Sequence, residues 1–235
     1  MATMISFVIP AHNEEAVLGA TLQALLKAAR TLAQEFEIIV VDDASTDRTG
    51  EIAQLAEARV LKVNLRQISA VRNAGASAAR GDVLIFIDAD TLVYEPTLRG
   101  ALAALESGAV GGGARVKLEA NAPRWAKIFT ALIVMLFFRM RWAAGCFVFA
   151  RRDVFERIGG FDQQYFLAEE LFISKALKRH GKFIIVPDAV VTSARKFRTY
   201  TARDLLGALI SLLRGGPGSW KSRDAAPWWY EARRE

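Results

Sequence analysis

The sequence has one cysteine, Cys146, and only two histidines, His12 and His180. A single cysteine excludes an internal disulfide framework and a zinc site built from several cysteines. Neither histidine stands in a metal-ligand spacing. Cys146 lies among apolar residues, which favours a packed thiol over a reactive nucleophile.

Several motifs of nucleotide-using proteins are also missing. No strand is followed by G-x-G-x-x-G, which argues against a dehydrogenase, and no G-x-x-x-x-G-K-[ST] exists, which argues against a P-loop NTPase. The amino terminus lacks the basic start and apolar core of a signal peptide, so we expect a cytoplasmic protein. The net charge of +6 favours phosphates or anionic lipid as partners, but no long Lys/Arg run appears, so no nucleic acid is expected.

What the sequence does contain is a regular alternation of apolar runs and helical patterns. Its 235 residues, 52% of them apolar, fit one α/β domain. The alternation predicts an α/β fold with a mostly parallel central sheet flanked by helices. The expected strands are 5–9, which Pro10 would end, 37–41, 60–63, 83–87 and 183–186; the expected early helices are 17–26, 49–58 and 69–79.

The stretch Gly81–Val93 is the centre of this pattern. Its apolar run Val83–Ile87 is typical of a strand covered on both faces, and it leads directly into Asp88 and Asp90. Open α/β sheets bind ligands at the carboxyl ends of their strands. Carboxylate oxygens suit Mg²⁺ or Mn²⁺, which neutralises a bound diphosphate. We therefore predict a divalent-metal, nucleotide-diphosphate site here; the alternative is that the aspartates merely cap a loop.

Polar clusters also follow the first two strands, at 11–15 and 42–47. The carboxyl ends of parallel strands meet at one edge of a sheet, so these two loops and the Asp88 loop are expected to converge.

Five segments resemble, in the same order, those of the family 2 glycosyltransferases, which have a GT-A (Rossmann-like) fold. They are VIPAHNEE (8–15), VVDDASTDRT (40–49), RNAGASAARGD (72–82), FIDADT (86–91) and the stretch from GGFD (159–162) through 169–170 to 178. The resemblance implies a GT-A domain over 1–200, with a nucleotide half at about 1–93 and an acceptor half at about 94–200. The processive members' Gln-x-x-Arg-Trp element is absent, which favours a non-processive enzyme.

The implied activity is a metal-dependent, inverting hexosyl transfer from a nucleotide-diphosphate sugar, with UDP favoured, to an acceptor hydroxyl, for which a lipid-linked molecule is one candidate. By the same resemblance Asp90 and Asp88 would hold the metal, and Glu170, paired with Glu169, would be the catalytic base. Glu170 stands where the family usually has Asp, which keeps open a non-catalytic nucleotide-binding or membrane-associated module of the same fold. The nucleotide-binding residues implied are Pro10, Ala11, Asn13, Glu14, Asp43, Arg72 (near the base or diphosphate) and Asp88. The two glutamates alternatively just begin a helix, where carboxylates are favoured.

Two apolar segments are expected to pack against the domain or to contact a membrane or another protein chain. Residues 128–138 are uncharged and have Arg124, Lys127, Arg139 and Arg141 on their flanks. As a helix this segment spans about 16 Å, well short of the ~30 Å hydrocarbon core. We expect it to be buried on the acceptor side; the alternative is contact with a membrane surface or a lipid-linked acceptor. Residues 201–235 predict an apolar helix and a Trp-rich basic tail, suited to a homodimer contact or to the inner face of a membrane.

Two smaller patterns complete the expectations. Gly111–Gly113 predicts a tight bend before a strand, with close backbone approach to the sugar or acceptor as the alternative. Arg195, Lys196 and Arg198 form a basic cluster that would either meet the diphosphate or face solvent.

Overall fold

A computed structural model describes residues 4–199 and 220–221 of the chain. The strands are Ile5–Ala11 (β1), Phe36–Asp43 (β2), Arg59–Val63 (β3), Val83–Ile87 (β4), Thr91–Leu92 (β5), Ala109–Leu118 (β6), Phe147–Arg151 (β7) and Lys182–Thr192 (β8). The helices are Leu18–Ala29 (α1), Thr49–Leu55 (α2), Ile68–Ala78 (α3), Glu95–Glu106 (α4), Arg124–Met140 (α5), Arg152–Arg157 (α6), Glu169–Lys178 (α7) and Arg195–Thr199 (α8). The predicted helical tail at 201–235 lies outside the described residues, apart from Trp220 and Lys221.

Within the described ranges the strands form one sheet in the order β3-β2-β1-β4-β7-β6-β8-β5. β3, β2, β1 and β4 pair in parallel, as do β6 and β8. β7 runs antiparallel to both β4 and β6, and β5 antiparallel to β8. The predicted α/β class with a mostly parallel sheet flanked by helices is confirmed.

The strands at the middle of the sheet are buried on both faces, as their unbroken apolar runs predicted. On one face Phe7 and Ile85 pack under α1 and α4; on the other Val8 and Phe86 pack under α3 and α7. β1 continues past its predicted end to Ala11, because Pro10 stays in register with β2 and costs the ladder only one donor.

The glycine triplet contradicts its prediction. Gly111–Gly113 lie inside β6 and pair with β7 and β8, so no bend occurs there. A Cβ atom at Gly112 would collide with the carbonyl oxygen of Ile184 and the ring of Phe149. The close approach is therefore to neighbouring strands and an aromatic ring, and packing within the sheet explains the glycine.

The burial predicted for the apolar segment 128–138 is also wrong. It forms most of α5, which packs one side on β6 and leaves the other side exposed. Counting apolar residues does not reveal how many faces of a helix find a partner. Among the described residues, no helix has the length and apolar character needed to cross a membrane.

Candidate active site

The loops after β1 and β2 are joined at the carboxyl edge of the sheet. The backbone N–H of Asn13 donates to Ser45 Oγ at 3.0 Å, and the N–H of Thr46 donates to Asn13 Oδ1 at 2.8 Å. The N–H of Glu14 donates to Thr49 Oγ1 at 2.8 Å. Pro10 and Ala11, at the end of β1, lead into this joined edge. The predicted convergence of the first two loops is thus present.

Asp43 extends the same edge to the segment after β3. Its Oδ1 accepts from the backbone N–H of Leu65 at 2.7 Å, and its Oδ2 accepts from that of Arg66 at 2.9 Å. His12 Nδ1 lies 2.7 Å from the carbonyl oxygen of Asp43. Asp43 therefore positions the loop that borders the expected nucleotide pocket, and direct contact with the nucleotide stays a prediction.

Asp90 lies where the end of β8 reaches the same rim. Thr192 Oγ1 donates to Asp90 Oδ1 at 3.3 Å, and the N–H of Ser193 donates to its carbonyl oxygen at 3.1 Å. Thr192 carried no signal in the sequence, since a threonine ending a strand is ordinary. Three residues on, Arg195 donates to Glu14 Oε2 at 2.7 Å, so this member of the basic cluster links β8 to the loop after β1.

Arg72, on α3, connects the donor and acceptor halves. Its side chain is only 2% exposed, and its guanidinium donates at 2.8 Å to both Asp88 Oδ1 and Glu169 Oε1. A third bond, 2.9 Å long, goes to the carbonyl oxygen of Gly145. Asp88 is 30% exposed, so this carboxylate borders the open rim while Arg72 lies behind it. These contacts place Arg72 between two carboxylates, and its contact with the base or diphosphate stays a prediction.

The neighbouring Asn73 is hydrogen-bonded to Phe161, in the fifth of the resembling segments, and was not predicted from the sequence as a site residue. Its Nδ2 donates to the carbonyl oxygen of Phe161 at 2.8 Å, and its Oδ1 accepts from the N–H of Phe161 at 2.9 Å. Gly160 has φ +75°, and a Cβ there would lie 2.6 Å from Asn73 Oδ1. Only glycine adopts this φ without strain and also leaves room for the Asn73 side chain. The sequence did offer a signal for Asn73, because it follows Arg72 at the start of the resembling segment 72–82.

Glu169 and Glu170 form the first turn of α7, as the helix-start interpretation predicted. Their environments differ: Glu169 is buried and paired with Arg72, whereas Glu170 is partly exposed. Although its side chain is not fully enclosed, loss of water around the carboxyl group, followed by the negative charge of Glu169, raises the pKa of Glu170 to about 8. A carboxyl group with such a pKa is a far stronger base than an ordinary glutamate.

Few of the described side chains are placed to bind a metal ion. Among the described residues, no three His, Cys, Asp or Glu side chains are grouped so as to hold an ion. Mg²⁺ typically takes one or two carboxylates and completes its shell with water and substrate phosphates. Asp90, with its hard oxygens at the rim, fits that mode, so a metal would bind together with a diphosphate. Cys146 is partly buried and not part of this set; burial raises the pKa of its thiol, which suits a packed residue.

The order of segments along the chain can be compared directly with known families. A sequence profile described as Glycosyl transferase family 2 matches residues 6–159, about two thirds of the chain. The chain belongs to glycosyl transferase family 2. The profile's range takes in the joined loops, both aspartates and the Arg72-Asn73 pair, and it ends before α7.

Curated family 2 relatives match different extents of the chain. The undecaprenyl-phosphate 4-deoxy-4-formamido-L-arabinose transferase of Pseudomonas paraeruginosa is 41% identical over 95 residues, which is 37% of this chain and 28% of that protein. The probable glycosyltransferase YdaM of Bacillus subtilis is 29% identical over 219 residues, covering 83% of this chain and 51% of that protein. The chain thus spans between about a quarter and a half of these relatives.

Solved structures share the fold. S. aureus TarS 1-349 in complex with UDP-GlcNAc superposes with a TM-score of 0.65 at 20% identity, covering 82% of this chain and 58% of that one. The mannosyltransferase PcManGT of Pyrobaculum calidifontis, in complex with GDP-Man and Mn²⁺, gives 0.64 at 20% identity, covering 88% and 61%. At this identity the likeness establishes the GT-A fold of the family 2 chain and nothing finer.

Proposed function

We propose that the chain transfers a sugar from a nucleoside-diphosphate sugar to a hydroxyl of a lipid-linked acceptor, with inversion at the anomeric carbon. The observation that carries this proposal is the Asp88–Arg72–Glu169 bridge, which links Asp88 at the donor rim to the helix that carries Glu170. The named ligands of the two solved structures, UDP-GlcNAc and GDP-Man, support a nucleotide-sugar donor. The undecaprenyl-phosphate relatives support a lipid-linked acceptor.

On the donor side, the joined loops after β1, β2 and β3 would hold the nucleoside. Pro10, Ala11, Asn13, Glu14 and Asp43 remain the proposed nucleotide contacts, with Asp88 at the ribose or the metal. Asp90 would hold Mg²⁺ or Mn²⁺ against the diphosphate, and the ion supplies neutralisation of charge on the leaving group. The Mn²⁺ in the PcManGT complex supports a divalent ion for this fold without choosing between the two. Arg72 would keep Asp88 fixed at that rim.

On the acceptor side, Glu170 would take the proton of the attacking hydroxyl. Glu169 cannot serve equally well, because its carboxylate is buried and already bound to Arg72. Attack from the face opposite the diphosphate gives the inverted product.

The test is a transfer assay with radiolabelled UDP-GlcNAc, UDP-glucose and GDP-mannose, supplied with Mn²⁺ and a bacterial lipid extract. We expect one donor to be consumed, nucleoside diphosphate to be released, and label to enter the organic phase. Release of nucleoside monophosphate would mean that a sugar phosphate is transferred and would contradict the proposal. If donors bind and none is consumed, the non-catalytic module of the same fold becomes the better explanation.

A further inference from the structure

The outward face of α5 carries most of the exposed large apolar side chains of the described residues. Leu132 is 57% exposed and Met135 64% exposed, although both are large apolar side chains. Their neighbours on the helix follow at three- and four-residue spacings, so the exposed side chains form one continuous face. Of nine exposed large hydrophobic side chains in the described ranges, six lie on this helix: Ile128, Leu132, Met135, Leu136, Phe138 and Met140.

Cations stand at both ends of this apolar face, and no acid interrupts it. Arg124 and Lys127 lie at the start of α5, with Arg139 and Arg141 at its end, all exposed. Between residues 120 and 152 the sequence contains no Asp or Glu. An apolar centre with cationic ends complements the acyl and head-group layers of an anionic bilayer. A second copy of this chain would instead bring like charges together, which disfavours a dimer through this face.

The end of α5 is bonded to the helix that carries Glu170. Lys178 Nζ donates to the carbonyl oxygen of Met140 at 2.7 Å. The N–H of Ala143 donates to Ser174 Oγ at 3.0 Å, and Ser174 Oγ donates to the carbonyl oxygen of Glu170 at 2.7 Å. A lipid surface against α5 would therefore lie on the acceptor side of the site.

We propose that the outward face of α5 docks on the surface of a bilayer that contains anionic phospholipid. The 17 residues of the helix, at 1.5 Å each, give about 25 Å lying in the interface. The apolar centre enters the boundary between head groups and acyl chains, and the four end cations meet lipid phosphates. Docking goes beyond sugar transfer, because it requires neither donor nor turnover.

The experiment is flotation of the full chain with phosphatidylcholine vesicles containing about one third phosphatidylglycerol, a composition chosen for its negative surface. We expect wild type to float and Leu132→Glu to lose about tenfold in partitioning, as for removing one buried leucine from the interface. The matched control is Leu55→Glu on α2, the same chemical change at a leucine that is 74% exposed and lies off this face. That variant should float like wild type.

A second pair of changes tests the charges. Arg139→Gln with Arg141→Gln should weaken binding by about fivefold for each cation, and wild type should bind neutral vesicles more weakly. Failure of wild type to float, or equal flotation of Leu132→Glu and wild type, would overturn the proposal. A wild-type dimer that Leu132→Glu converts to monomer, with no flotation, would assign the face to a second copy instead. Flotation uses no nucleotide sugar, and nucleotide binding is measured without lipid. Failure of membrane docking can therefore be distinguished from failure of the proposed transferase function.

Discussion

Replacing Glu170 with Gln is expected to lower the rate of sugar transfer by about 10²- to 10⁴-fold, the range that a general base contributes. The amide keeps the size and the helix position of the side chain but cannot accept the proton of the acceptor. Nucleotide binding should persist, because Glu170 lies on the acceptor side and none of the proposed nucleotide contacts changes. The measurement is transfer rate and nucleotide affinity on the same preparation.

The pH dependence of the wild-type rate gives the same residue a second test. Only the ionised carboxylate accepts a proton, and its pKa is raised to about 8. The rate should therefore rise about tenfold per pH unit below that value and level off above it, since the base form is the minor form at lower pH. Glu170→Gln should retain a residual rate without this rise. Glu156→Gln, at an exposed glutamate on α6, is the control for loss of one carboxylate. A Glu170→Gln variant that kept most of the wild-type rate would remove Glu170 from the mechanism.

Replacing Arg72 with Met is the change expected to cost the most stability, about 3–5 kcal/mol of unfolding free energy. The thioether side chain fills much of the same space but leaves the Glu169 carboxylate buried without its cation, and Asp88 loses its partner as well. Arg72→Lys should be intermediate, because an ammonium group cannot reproduce the planar fork that spans two carboxylates. Urea denaturation of each variant measures the difference.

Arg99→Met is the matched control for Arg72→Met. Arg99 pairs with Glu95 on the exposed side of α4, where an ion pair contributes at most about 1 kcal/mol. Adding Glu169→Gln to Arg72→Met should restore part of the lost stability, since it removes the uncompensated charge. Equal losses for Arg72→Met and Arg99→Met would show that the buried bridge does not hold the two halves together.

The sequence predicted those features that depend on local pattern. The unbroken apolar run Val83–Ile87 indicated a strand covered on both faces. Asp88 and Asp90, which follow it, were therefore expected at the carboxyl edge of the sheet. Prediction from the sequence failed for features whose structure depends on residues that pack nearby but are distant in the chain. Gly111–Gly113 looked like a bend, because nothing local shows that Phe149 and Ile184 crowd that strand.

The site was predictable in its parts and not in its connections. Arg72 and Glu169 are 97 residues apart, and no spacing rule indicates that they meet. Thr192 reaches Asp90 across 102 residues in the same way. The burial of α5 was misjudged for a related reason, since the apolar content of a helix says nothing about whether the chain supplies a cover for its second face.

The proposed metal-dependent nucleotide-diphosphate site at Asp90 is tested most directly by thermal melting. Wild type and Asp90→Ala would be melted with UDP, GDP, ADP or CMP, each with and without Mn²⁺, beside Asp153→Ala as a control at an exposed aspartate. A ligand at about one hundred times its dissociation constant adds roughly 2.7 kcal/mol. We predict that one nucleoside diphosphate stabilises wild type and Asp153→Ala only with Mn²⁺, and that Asp90→Ala loses the effect. A wild type that no nucleotide stabilises, or a shift that survives in Asp90→Ala, would contradict the account.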